Sequence, residues 1–139
     1  MAAPQAWEVQ EAVYAALSQD PEITAVLGHP ARIHDAPPPD PEFPFVVIGQ
    51  TDVKPIAAAP GAYGHEIRVE IISKYRGRRE VKLILDAVHG SLHETPLSIT
   101  GGEVVSSRFL FSDIFPRTES GAFRGVMKFR IVTQQNLGG

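Results

Sequence analysis

The chain has 139 residues, 43% of them hydrophobic and 21% charged, with a formal net charge of −3 and no cysteine. That length fits one domain, 1–139, able to bury a core without staples, and the missing thiols exclude disulfides, cysteine nucleophiles and cysteine zinc sites. The mildly acidic balance argues against a general polyanion binder, no apolar run approaches the ~20 residues that span a bilayer, and "MAAPQAWEVQ" lacks the basic and apolar regions of a signal peptide, so no membrane partner and assembly in the cytoplasm are expected.

Residues 4–19 read as the first helix. Pro4 suits a first-turn position, Ala6, Val9, Val13, Ala16 and Leu17 give an apolar stripe, and Trp7 and Tyr14 widen it. "DPEITAVLG" predicts a short second helix: Asp20 caps, Pro21 takes the first helical position, Glu22 favours the positive end, and Gly28 ends it. Residues 29–44 hold prolines 30, 37, 38, 39, 41 and 44, an extended and irregular arm in which each proline fixes φ and removes a donor. The arm leads into a strand over 45–53, whose run Phe45-Val46-Val47-Ile48 predicts cover on both faces. Prolines before such a strand deny stray strands their hydrogen bonds, and a stiff arm loses less entropy when it lies across a neighbour.

"KPIAAAPGAYGH", 54–65, reads as a long loop of small residues, expected to be mobile in a free subunit and ordered against a partner. Residues 66–75 alternate, with Ile67, Val69, Ile71 and Tyr75 on one face and Glu66, Arg68, Glu70 and Lys74 on the other. The strongest helix covers 78–93, with the stripe Val81, Ile84, Leu85, Val88 and Leu92. Leu97–Ile99 is a short strand or extended link closed by Gly101-Gly102. Strands follow over 103–111, with Phe109 and Phe111 sharing a face, and over 123–133, with Met127, Phe129 and Ile131 opposing Lys128 and Arg130; "PRTESG" marks the turn between them. The order predicts an α+β fold: a mainly antiparallel sheet with the long helix and the N-terminal helices packed on one face.

Little of this carries chemistry. His89 and His93 stand four apart on one helix, but "HGSLH" has Gly90 where a zincin has its base, and no third ligand is evident beyond His65 or Glu94. No nucleophile motif, phosphate loop or dinucleotide fingerprint occurs, so neither a catalytic set nor a cofactor is assigned. "KYRGRRE", 74–80, is the one dense basic cluster, placed where a strand turns into the long helix. Arginines there oppose the helix dipole, which Glu80 partly offsets. The cluster is either a solvated turn or a contact to phosphate or an acidic neighbour.

Several stretches in succession resemble a family. They are "LSQDPEITAVLG", "ARIHDAPPPDPEFPFVVIGQ", "HEIRVEIISKYRGRREVKLILDAVHGSL", "PLSITGGEVVSSRF" and "GAFRGVMKFRIVTQ". In this order they resemble the small tail-completion or tail-terminator proteins of long-tailed phages and phage-derived gene transfer agents. The resemblance implies a structural virion protein without catalytic residues. It implies a ring, typically a hexamer, that caps the head-proximal end of the tail tube and joins it to the head-side neck or connector protein. DNA would pass through such a ring without specific binding, and the protein would reside in the tail-neck region of a virion or virion-like particle.

The candidate contact residues are Arg76, Arg78 and Arg79, with Lys54 and Tyr63 from the 54–65 stretch. The alternatives are a nucleic-acid-binding adaptor using the 74–79 cluster, whose binding would fall steeply with salt, and a small ligand-binding or hydrolase domain.

Overall fold

Alternating apolar residues need a second layer to cover them, and here three helices cover one face of a five-stranded sheet. The structure, a computed structural model, describes residues 4–116 and 118–136. The elements are α1 (Ala6–Ser18), α2 (Pro21–Leu27), β1 (Ile33–His34), β2 (Phe45–Pro55), β3 (Ala62–Ser73), α3 (Arg79–Leu92), β4 (Gly102–Phe115) and β5 (Phe123–Gln135). The sheet order is β1-β2-β3-β5-β4; β1 pairs parallel with β2, and every other pairing is antiparallel. This is the α+β arrangement expected from the sequence.

The core lies between sheet and helices. Ile67, Val69 and Ile71 of β3 and Met127, Phe129 and Ile131 of β5 meet Val81, Ile84, Leu85, Val88 and Leu92 of α3, all buried. α1 adds Val9, Val13 and Leu17, and α2 adds Ile23 and Leu27. The α2 entry is as read: the Asp20 carboxylate accepts from the Glu22 N–H at 2.9 Å, and Gly28 closes the helix at φ +86°.

Several expectations are corrected. Pro4 precedes α1 rather than opening it; Gln5, in the left-handed region at φ 68°, is the cap residue, and its side-chain amide donates to the Thr100 carbonyl. Ala6, Trp7 and Tyr14 point away from the core, and Ala12 takes the buried place instead. The arm is not wholly irregular, because Ile33 and His34 pair with Val46 and Val47 before the proline run begins. The arm is also pinned to its own domain. The Arg32 guanidinium donates to the Pro44 carbonyl at 2.8 Å and meets Glu42 at 3.2 Å, while Lys74 sits 4.4 Å from the Phe43 ring centroid. Burial on both faces of β2 holds only near its start; from Thr51 onward the strand alternates between half-buried and exposed.

The long loop shrinks to a turn over 56–61, since β2 runs to Pro55 and β3 begins at Ala62. That turn is held by Ile56 N–H to Ala62 O at 3.0 Å and by the Gln134 amide to Pro60 O at 3.1 Å. Tyr75 lies past the end of β3 and is exposed, so the core face of that strand ends in Ser73. Leu97–Ile99 forms no strand. β4 extends to Phe115, with register shifts between Val104 and Ser106 and between Phe109 and Phe111. The second shift inserts Leu110 and so parts the two phenylalanines. Phe109 stands opposite Phe129 against the core, whereas Phe111 stands opposite Lys128 on the uncovered face.

Gly102 opens β4 where backbone and side chain crowd it. A Cβ there would lie 2.6 Å from the Gln134 carbonyl oxygen and 2.8 Å from the Gln5 side-chain oxygen. Gly102→Ala should therefore destabilise the protein by about 1–3 kcal/mol. An unchanged urea midpoint would show that the β4 start moves aside freely.

Candidate assembly surfaces

Lys54 and Tyr63 belong to the end of the β2–β3 hairpin, where Lys54 pairs with Gly64 and Pro55 with Tyr63. They are strand residues and not loop residues. Lys54 helps to line a shallow cleft of about 310 Å³ with Asp52, Glu66 and Arg130. Arg76, Arg78 and Arg79 stand at the opposite end of the sheet, between β3 and α3. Ten residue steps of extended β3 lead from Tyr63 to Ser73, roughly 30 Å of strand. The sequence-derived contact residues thus form two separate surfaces.

The basic end is built by a short tether. Ser73 Oγ donates to the Glu80 carboxylate at 2.7 Å and accepts the Tyr75 N–H at 3.1 Å, which folds the 74–78 segment back onto α3. All three arginines are exposed. Arg78 lies 5.2 Å from the Phe123 ring centroid, and among the described residues none of the three guanidiniums has an ion-pair partner.

The sheet face away from the helices is a mixed charged surface. Glu66 meets Lys128 at 3.5 Å, and Arg124 bonds to Glu70 from both its ε and terminal nitrogens. Arg108 and Arg130 stand directly opposite each other across β4 and β5, an unfavourable like-charge pair that Glu94, 3.7 Å from Arg108, offsets.

His89 and His93 do come together, their rings stacked at 4.7 Å, with His89 edge-on to Phe109 at 5.0 Å. His93 Nδ1 accepts the Phe109 N–H at 3.0 Å, so this nitrogen fastens α3 to β4. Among the described residues no group of three or more His, Asp or Glu is placed to hold a metal, and no helix is long and apolar enough to cross a membrane.

The sequence reading missed the exposed large apolar residues. Leu110, Phe111 and Phe115 emerge along β4, Trp7 and Tyr14 along α1, and Tyr75 and Leu83 beside the basic end. A signal for the β4 set existed: "RFLFSDIF" does not alternate, and a broken alternation marks a bulge.

Comparison with known proteins gives one reading of such a chain. Among curated proteins, none matches. Among solved structures, a chain of the virion of a native gene transfer agent particle is similar: TM-score 0.83, 27% sequence identity, covering 93% of this chain and 96% of that one. The family model described as tail completion protein gp17 matches residues 11–134. With that model spanning nearly the whole sequence, the chain belongs to the tail completion protein gp17 family.

Proposed function

We propose that the protein is a structural component of the tail of a phage or gene transfer agent particle and acts there as the tail terminator. In this reading several copies form a ring, of the hexameric kind, on the head-proximal end of the tail tube. The ring stops tube growth and offers its other side to the head-side neck. DNA passes through without specific binding, and no catalysis is involved. The observation that carries the reading is the likeness to a virion chain over 93% of this chain and 96% of that one.

The geometry supports it in kind. The described residues offer separate contact surfaces at both ends of the sheet and along its edges, as a subunit touching like neighbours, a tube and a neck requires. Particles made without this protein should carry tails of uncontrolled length that fail to join heads. Finding the protein as a single copy, or away from the tail axis, would refute the reading.

The basic end belongs to it as a protein contact. Arginine suits carboxylates because its fork binds them in two places. Replacing Arg76, Arg78 and Arg79 together with alanine should cut the yield of joined particles while leaving the subunit folded, since exposed charges contribute only about 0–1 kcal/mol each to stability. Normal assembly with failed DNA delivery would instead place the cluster on the DNA path.

A further inference from the structure

Two apolar surfaces lie on opposite edges of the sheet. One is a groove of about 540 Å³ between α1 and the β1 edge, with Ile33 and Ile48 as floor, Trp7 and Tyr14 as walls, and Glu11 and Asp35 on the rim. Trp7 is 59% exposed and Tyr14 43%. Rings this open in water leave much apolar area unburied. The other is the lower half of β4, where Leu110, Phe111 and Phe115 are 44%, 47% and 40% exposed.

The two surfaces are matched in level. Ile48 pairs with Val69, Val69 with Met127, and Met127 with Ser112. Antiparallel rungs run perpendicular to the strands, so the groove floor and the middle of the β4 strip lie on one line across the sheet. A copy placed beside another so that strip meets groove needs no shift along the strands. A head-to-tail contact with rotation and no rise closes into a ring, whereas one with a rise grows into a helix.

Charge agrees. The groove lining has two carboxylates and no basic residue. The strip is bordered on the helix side by Lys82, which stands two turns before His89 on the α3 flank facing β4. On the other side it is bordered by Arg124, 5.9 Å from the Phe115 ring centroid, whose charge Glu70 of the same copy already meets. Asp86 and Asp113 are exposed there too, and Asp113 already accepts the Ile114 N–H at 2.9 Å.

We propose that the groove is the seat for the β4 strip of a second copy of this chain, repeated head to tail. The inference rests on the ring proposed above and names its subunit contact. The side chain of Leu110 enters between Trp7 and Tyr14, and Lys82 of one copy faces Glu11 of the next.

The absence of cysteine makes the test clean. Tyr14→Cys and Leu110→Cys are introduced together, the variant replaces the native chain in cells that make the particle, and purified particles are treated with a short bismaleimide. The expected result is a ladder of multiples on a denaturing gel, while a mixture of the two single variants stops at dimers. Complete particles with no ladder would overturn the contact and leave the ring standing; one copy per particle would overturn both. Should the double variant yield no particles, charge reversal decides: Glu11→Lys is expected to lower particle yield and Lys82→Glu to restore it in the same chain. Loss without restoration would overturn the contact.

Discussion

Phe129→Ala is expected to remove about 3–5 kcal/mol of folding stability, a large share of the 5–15 kcal/mol that holds a typical domain together. The ring is fully buried on β5, an internal strand flanked by β3 and β4. It pairs with Ile67 across β3 and meets Phe109 edge-on at 5.8 Å across β4. Phe109 in turn touches His89 of α3. Removing the ring leaves a void between a helix and two strand neighbours that the ladder holds in place. Urea unfolding of the free subunit checks this. Phe129→Leu, which refills most of the space, should lose clearly less. A loss below about 1 kcal/mol for the alanine variant would mean that the core collapses around the site.

The second large effect is a pH dependence. His65 is fully buried on β3; its Nε2 lies 3.0 Å from Thr133 Oγ1, and among the described residues its Nδ1 has no hydrogen-bond partner. Burial holds the imidazole below its usual pKa of 6.5, because the charged form would lie in a dry site. In the unfolded chain the same group titrates at its ordinary value. Below pH 6.5 the unfolded state therefore binds a proton that the folded state refuses. The stabilising effect of the neutral ring is complete above that pH and declines as pH falls from there toward the folded-state pKa, at up to about 1.4 kcal/mol per pH unit. The variant His65→Phe with Thr133→Val removes both the titration and the hydroxyl it would orphan. Urea midpoints at pH 7.5 and 5.5 are expected to separate for the native chain more than for the double variant. Equal separations would clear His65 of the effect.

What the sequence showed depended on how local each cause was. α2 was readable residue by residue because Asp20, Pro21 and Gly28 each act within one turn. α3 was readable because its stripe is a strict repeat and all five named residues are buried. β1 was not readable, for two residues make a strand only by pairing with Val46 and Val47, a tertiary event. Trp7 and Tyr14 were placed on the core side by their apolar nature alone. At 100° per residue they stand roughly 140–160° around the helix from Val9, so spacing pointed outward while composition pointed inward.

The candidate contacts divide in the same way. The basic cluster is a run in the chain and was visible there. The groove joins α1 to Ile33 and Ile48, and the β4 strip owes its outward face to an inserted residue. Both arise only after the sheet has assembled.

The two register shifts in β4 have a consequence for how the molecule behaves at high concentration. An edge strand of fourteen residues is long enough to recruit other chains into an unending cross-β stack. Inserted Val105 and Leu110 cut its regular pairing into runs of 102–104, 106–109 and 111–115, each too short and too bent to template a foreign strand. Both inserted residues also project outward. The edge is thus poor in backbone adhesion and rich in shaped side chains, and shaped side chains discriminate between partners. At high concentration such an edge resists open-ended stacking.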